Sequence, residues 1–174
     1  MTAVGLSFRS LSRDEFPLLA SWLAQPHVAQ WWDTLDLAGV EREFGPCIDG
    51  RDPTKMFICA EGGSAVGLIQ FYRLSDNLDY QHAVMVDDGA GIDLLIGAAD
   101  QCGKGLGPRM ICGVLDMVWD SYPEVRCAMA GPSVHNTRSH RAFEKAGFQA
   151  VRRVAVPGEK EDELILVCPR PTTA

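Results

Sequence analysis

The chain has 174 residues, 47% hydrophobic and 22% charged, a length that suits one well-buried core and is short for two. Its 16 Lys+Arg against 23 Asp+Glu leave a formal charge of -7, which argues against a nucleic-acid partner and leaves room for a cationic one. No run approaches the roughly 20 apolar residues of a membrane span, and the opening Met1-Thr2-Ala3-Val4-Gly5 shows no basic segment leading into an apolar one, so a single cytoplasmic domain over residues 1–174 is expected, monomeric or homodimeric.

In chain order, Leu6 to Arg9 reads as a strand. Ser12 with Glu15 three residues on forms a capping box that opens a helix to about Ala24, with Phe16, Leu19, Ala20 and Leu23 on one face. A second helix is expected over Leu37 to Phe44. Met56 to Ala60 and Ala65 to Tyr72 flank Glu61-Gly62-Gly63-Ser64, the chemistry of a β-hairpin. The polar stretch from Arg73 to Gly89 is long for a plain connection and is expected to be a substrate loop or part of a strand. Ile92 to Gly97 resumes as a strand. Leu106, Met110, Ile111, Val114, Leu115 and Val118 then recur at helical spacing up to Tyr122-Pro123. Val125 to Ala130 reads as a strand, Asn136 to Ala146 as a helix stopped by Gly147, and Ala150 to Val156 and Glu163 to Cys168 as closing strands. Strands and helices are mixed without strict alternation, which predicts an α/β chain around a mixed sheet.

Six cysteines (Cys47, Cys59, Cys102, Cys112, Cys127, Cys168) form no C-x-x-C pair and read as reduced core thiols. His82, His135 and His140 show no metal-ligand spacing with them, so no metal is expected. The most informative segment is Gly103-Lys104-Gly105-Leu106-Gly107, between a buried strand and an amphipathic helix. Glycines there let the backbone turn tightly and gather N–H groups at a helix start, where the helix dipole favours an anion. No Lys-Ser or Lys-Thr follows, and the spacing is not G-x-G-x-x-G, so neither a P-loop nor a dinucleotide fold is indicated. The bland alternative is a glycine-rich turn with no ligand.

Cys102-Gly103-Lys104-Gly105-Leu106-Gly107, with Gln101 before it, and then Asn136 followed by Phe143-Glu144-Lys145-Ala146-Gly147-Phe148, resemble the paired motifs of the GNAT superfamily of acyl-CoA-dependent N-acyltransferases. Cys102 stands where that pattern has Arg or Gln. Trp22-Leu23, Pro26-His27-Val28, Trp31-Trp32, Gln70-x-Tyr72 and Gly91-Ile92-Asp93 extend the likeness over nearly the whole chain, toward the aminoglycoside 6′-N-acetyltransferase group. Siderophore-biosynthesis acyltransferases share the H-V-x-x-W-W element and the Leu94 to Gly97 strand, but commonly carry His where this chain has Asp93.

The resemblance implies a mostly antiparallel sheet of about seven strands flanked by about four helices, and acetyl-CoA as cofactor. It implies cofactor contacts from Leu94, Leu95, Ile96, Gln101, Cys102, Gly103, Lys104, Gly105, Leu106, Gly107, Asn136, Ser139 and Phe143. For a cationic small-molecule amine acceptor it implies His27, Trp31, Trp32, Gln70, Tyr72 and Asp79. A backbone N–H near Leu94 or Leu95 would polarise the thioester carbonyl, and Asp93 would take the proton of the acceptor amine; its ordinary alternative is a carboxylate capping a strand. Two positions depart from the group. Phe143 stands where a Tyr usually protonates the departing thiolate, and a phenyl ring has no proton to give. Gly131 stands where an Asp often holds the antibiotic.

Asp76, Asp79, Asp87 and Asp88, or Glu159, Glu161, Asp162 and Glu163 in a late turn, could supply the missing negative charge, although such runs are ordinarily solvated loops. Trp31 and Trp32 could form a wall for an aminosugar or close the core. Cys102 beside a helix start could be reactive, or a buried inert thiol. The leading expectation is acetyl transfer to the 6′-amine of an aminoglycoside. The alternatives are a siderophore-type or other small-amine acyltransferase, and a non-catalytic acyl-CoA-binding module.

Overall fold

The computed structural model describes residues 5–172; Met1 to Val4, part of the opening read above for a leader pattern, and Thr173 and Ala174 lie outside the described residues. One sheet holds all seven strands: β1 (Leu6–Ser10), β2 (Lys55–Glu61), β3 (Ser64–Arg73), β4 (Gly89–Ile96), β5 (Cys127–Ala130), β6 (Gln149–Val154) and β7 (Glu163–Pro169). Their spatial order is β1-β2-β3-β4-β5-β7-β6, antiparallel throughout except for β4 and β5. Parallel neighbours require a crossover, and here it contains a 16-residue helix. The helices are α1 (Phe16–Leu23), α2 (Pro26–Ala29), α3 (Leu37–Ile48), α4 (Leu78–Val84), α5 (Leu106–Ser121) and α6 (Thr137–Lys145), six where about four were expected. No helix among the described residues is long and apolar enough to cross a membrane.

The two unexpected helices are short. The α2 helix opens on Pro26 at its first position, where the fixed φ of proline suits a helix start and its missing N–H costs nothing. Within 73–89, expected as a loop or strand, a 3-10 turn (Leu74–Asp76) leads into α4, capped by Asn77 Oδ1 accepting from Tyr80 N at 3.2 Å. Only Val84 of α4 is fully buried, so two turns of helix leave no apolar period to read. The α3 helix runs to Ile48, one turn past the expected stop, and carries Pro46 in that last turn.

Side chains alternate across each strand, and the packing follows. Phe57, Cys59, Ile69, Phe71 and Ile92 meet Met110, Ile111, Val114 and Val118 of α5 on one face. Met56, Ile58, Leu68 and Leu95 meet α1 and α3 on the other. Further along that second face, Met129, Ile165 and Val154 pack with Leu74, Val84 and Val86 around α4. Each fully buried Leu, Ile or Phe contributes roughly 1.5–3 kcal/mol of apolar burial. Among the cysteines only Cys59 is buried, with its thiol pushed up to about 11 mainly by that burial, and Cys112 is exposed, so the reading of all six as core thiols fails.

β4 and β5 are in register over only three pairs, Gly89↔Cys127, Ala90↔Ala128 and Gly91↔Met129. β5 ends at Ala130, while β4 continues to Ile96. Beyond Gly91 the two strands part.

Candidate active site

The site is built on the register of β3 and β4, which sets Gln70 opposite Asp93 and Tyr72 opposite Gly91. Gln70 Nε2 donates to Asp93 Oδ2 at 3.0 Å, and the Tyr72 hydroxyl lies within reach of Asp93. The Tyr72 ring reaches that position by lying over Gly91: a Cβ built there would stand 2.4 Å from two ring carbons. Burial raises the Asp93 carboxyl above the usual carboxylate range, and the donors Gln70 and Tyr72 offset part of that rise. Gln70 Oε1 is buried with no partner among the described residues, an open acceptor beside Asp93.

The polar chain continues toward α4 and β7. Tyr80 lies within hydrogen-bonding reach of Tyr72, and its hydroxyl donates to Glu163 Oε2 at 2.9 Å. Burial pushes Glu163 up to about 7; the Tyr80 hydrogen bond opposes the rise, and the nearby charges of Asp93 and Glu159 add to it.

Gln70, Asp93 and Glu163 line a cavity of about 690 Å³, and Tyr72 and Tyr80 stand behind them. By strand alternation Gln70 and Asp93 face α1 and α3, whereas Ile92 and Leu94 face α5 and α6. All four line the same cavity, as does Phe143 of α6. The cavity therefore passes through the split between β4 and β5, from one face of the sheet to the other. Its lining carries five carboxylates (Asp33, Asp93, Glu159, Glu161, Glu163) and one lysine, Lys160, an arrangement that favours a cation.

On the α5 side, Gly97 N donates to Val66 O on β3 at 2.9 Å. An antiparallel ladder alternates its bonding residues, so the Leu95 N–H also turns to β3, while those of Leu94 and Ile96 turn into the split. Of the two candidate polarising groups, Leu94 is the one directed at the cavity; the Leu95 side chain is 4% exposed and packs under α1 and α3. Gly103 and Gly105 have φ of 76° and 80°, in the left-handed region that L side chains avoid, and Gly105 caps the start of α5. The first backbone bond of α5 runs from Arg109 N to Gly105 O, leaving the Leu106 and Gly107 N–H groups without helix partners. Gly107 faces α6, with a built Cβ 3.3 Å from Ala142 Cβ. Gln101 and Cys102 are half-buried and Lys104 is exposed; the Cys102 thiol approaches Ala98 O at 3.8 Å. Asn136 Oδ1 caps α6 by accepting from Ser139 N at 3.2 Å, and both residues line the cavity. Phe143 is 2% exposed and set edge-on to Phe148 with ring centroids 5.0 Å apart.

On the acceptor side, Trp31 and Trp32 both line the cavity, and Trp32 packs in addition against the α1–α3 core. Three expected residues stand outside the lining: His27, Asp79 and Tyr72, the last of which lies beside Asp93. His27 Nε2 bonds Ile96 O at 2.8 Å and holds the end of β4; it does not line the cavity. Asp79 is exposed on α4 and absent from the lining, and Tyr80 is the α4 residue that turns inward. Of the acidic groups, Asp76, Asp87 and Asp88 are exposed away from the cavity, and Asp162 pairs with Arg153 at 2.6 Å. Asp33, which lines the cavity, and Tyr80, which bonds Glu163 on a strand 83 residues away, went unnoticed in the sequence, because neither belongs to a motif.

Comparison with known proteins agrees with this geometry. A family model described as an acetyltransferase (GNAT) domain matches residues 12–156. An aminoglycoside N(6′)-acetyltransferase type 1 of Klebsiella pneumoniae is 29% identical over 157 residues, 87% of this chain and 78% of that one. Among solved structures, aminoglycoside acetyltransferase AAC(6′)-Ib in complex with coenzyme A and kanamycin superposes with a TM-score of 0.85 at 27% identity, covering 95% of each chain. The same enzyme with paromomycin and acetyl-CoA gives a TM-score of 0.85 over 95% of this chain and 94% of that one, again at 27% identity.

Proposed function

The chain belongs to the GNAT acetyltransferase family, and on that premise we propose that it transfers the acetyl group of acetyl-CoA to a primary amine of an aminoglycoside, the 6′-amine. The observation that carries this reading is the acid-lined cavity through the β4–β5 split, which joins Asp93 on one face to Leu94 and the α6 start on the other. The solved relatives hold acetyl-CoA or coenzyme A together with an aminoglycoside, and two ligands of that kind suit the two halves of this cavity.

The left-handed Gly103 and Gly105, with nothing within 4 Å of a built Cβ at either, leave the α5 start open to a pyrophosphate. Acetyl-CoA supplies the thioester carbonyl that an amine attacks and a thiolate that leaves. Leu94 N–H, directed into the split, is placed to polarise that carbonyl. Asp93 holds the acceptor ammonium, assisted by the open Gln70 Oε1, and takes its proton so that a neutral amine can attack. Burial raises its pKa, which makes it a stronger base than an ordinary carboxylate. Trp31 provides a flat wall for a sugar ring. Phe143 supplies no proton to the thiolate, which is a tolerable leaving group because an alkyl thiol has a pKa of about 8.5.

The test is incubation with acetyl-CoA and separate panels of aminoglycosides, hydroxylysine-like amines and peptides, read by product mass. Acetylation of aminoglycosides alone supports the reading. Turnover only with the amino-acid amines replaces it with the siderophore-type alternative, and cofactor binding without product from any panel makes the chain a binding module. Asp93→Asn is expected to lower kcat by about 10²–10⁴-fold with coenzyme A affinity unchanged, and an unaltered rate removes Asp93 as the base.

A further inference from the structure

Glu163 has no counterpart in any motif of the chain, yet the fold makes a place for it. A Cβ built at Gly131, where β5 has just ended, would stand 2.2 Å from Glu163 Oε2 and 2.7 Å from the Tyr80 hydroxyl. The Glu163 carboxylate thus fills the space that a side chain at 131 would occupy. Glu163 and Ile165 lie on the same face of β7 as Met129 lies on in β5, the face that carries Asp93. Tyr80 uses only Oε2, and Glu163 lines the cavity.

Glu163 Oε2 stands at Gly131, which the β4–β5 register sets level with Asp93 one strand away, so a strand spacing of about 5 Å, widened by the split, leaves the two carboxylates on the order of 10 Å apart. Among the described residues neither carboxylate has an ion-pair partner. The nearby arginines are engaged elsewhere: Arg152 donates to the Val84 and Met85 carbonyls and Arg153 pairs with Asp162.

We propose that Glu163 is a second ammonium-binding carboxylate of the acceptor cavity, a specificity-determining residue that selects acceptors bearing a second amino group within about 10 Å of the reacting one. This deepens the acceptor side of the proposed function and rests on it. Tyr80 holds the carboxylate in place, and the missing side chain at Gly131 keeps its space open.

The charge state of Glu163 makes the selection pH-dependent. The groups facing it are Tyr80 from α4, Tyr72 and Asp93 from β3 and β4, and Glu159, Lys160 and Glu161 from the turn before β7. Lys160 is the cation among them, and it forms no ion pair with Glu163 that would hold the carboxylate ionised. Because its pKa is raised to about 7, it binds an ammonium well above that pH and loses the attraction as pH falls through it. About tenfold fewer molecules carry the ionised form at pH 6 than at pH 8.

The experiment compares kanamycin with the methyl glycoside of 6-amino-6-deoxyglucose, a monoamine, in wild type, Glu163→Gln and Gly131→Ala. Binding is followed calorimetrically in the presence of coenzyme A, and KM and kcat are measured with acetyl-CoA, from pH 6 to 8. At pH 8 both substitutions are expected to reduce the preference for kanamycin over the monoamine by about tenfold, mainly through KM and Kd. In wild type that preference should fall about tenfold from pH 8 to pH 6, and in Glu163→Gln it should stay flat. Gly131→Ala retains the carboxylate and only displaces it, so it reports position separately from charge. An unchanged preference in Glu163→Gln, or equal losses for both amines, overturns the proposal. Absence of wild-type turnover with any aminoglycoside defeats the proposed function instead, and the calorimetric preference still judges Glu163.

Discussion

Replacing Gly91 with alanine probes whether the Tyr72 ring must lie over β4 for Asp93 to work. The new Cβ would stand 2.4 Å from two Tyr72 ring carbons and 2.6 Å from its oxygen, against about 3.5–4.0 Å for an ordinary carbon contact. The ring must retreat by about 1 Å or more, which takes its hydroxyl out of hydrogen-bonding reach of Asp93. Overpacking of this kind costs about 1–3 kcal/mol. The backbone entropy lost with glycine returns about 0.4–1 kcal/mol. A net loss of about 1–2 kcal/mol lowers Tm by roughly 2–8 °C for a domain of this size. Removing a hydrogen bond to a charged group costs about 1.5–3 kcal/mol, which corresponds to about 10–100-fold in kcat/KM for the acceptor. Thermal unfolding, thiol release from acetyl-CoA with kanamycin, and calorimetric coenzyme A binding measure the three quantities, and the last should not change. A cycle with Tyr72→Ala closes the case, since the clash vanishes once the ring is gone and the two substitutions should be non-additive by about 1 kcal/mol or more. A wild-type Tm and rate in Gly91→Ala, or strict additivity in the cycle, refutes the reasoning.

The remaining predictions concern the cofactor loop and the end of β4. Gly105→Ala places a side chain at φ 80° with no steric neighbour within 4 Å, so its cost is backbone strain of about 1–2 kcal/mol. Coenzyme A binding should weaken about tenfold by calorimetry, with the Kd for kanamycin unaltered. His27→Ala strips the Ile96 carbonyl of its partner and should cost about 1–3 kcal/mol in chemical unfolding. Its acceptor KM should change less than about twofold, since a stability effect carries no direct substrate term; a large rise in KM with unchanged stability would return His27 to the acceptor site.

The glycine turn that opens α5 and the cap of α6 were legible because their geometry is local. Gly103, Gly105 and Gly107 follow a strand and open a helix, and Asn136 caps the next one, so a few adjacent residues carry both the pattern and the geometry. The hairpin at Gly62-Gly63 was equally plain, with φ of 57° and 84° that glycine accepts at no steric cost. The acceptor half was not local. Asp93 and Gln70 meet through strand register, Tyr80 turns inward from a helix too short to show a period, and Glu163 enters from the last strand.

By itself the sequence determined the strands, the longer helices and the glycine turn that opens α5, because glycine conformations, caps and alternating patterns act within a few residues of the chain, and the family resemblance pointed to Asp93 as the candidate base. Only the tertiary structure decided that β4 and β5 part beyond Gly91, and that Leu94, not Leu95, addresses the gap. It alone assigned His27 to supporting a strand and set Glu163 in the space left at Gly131. Those outcomes depend on which strands pair and where their pairing stops, a property of contacts between distant segments that no single stretch of residues contains.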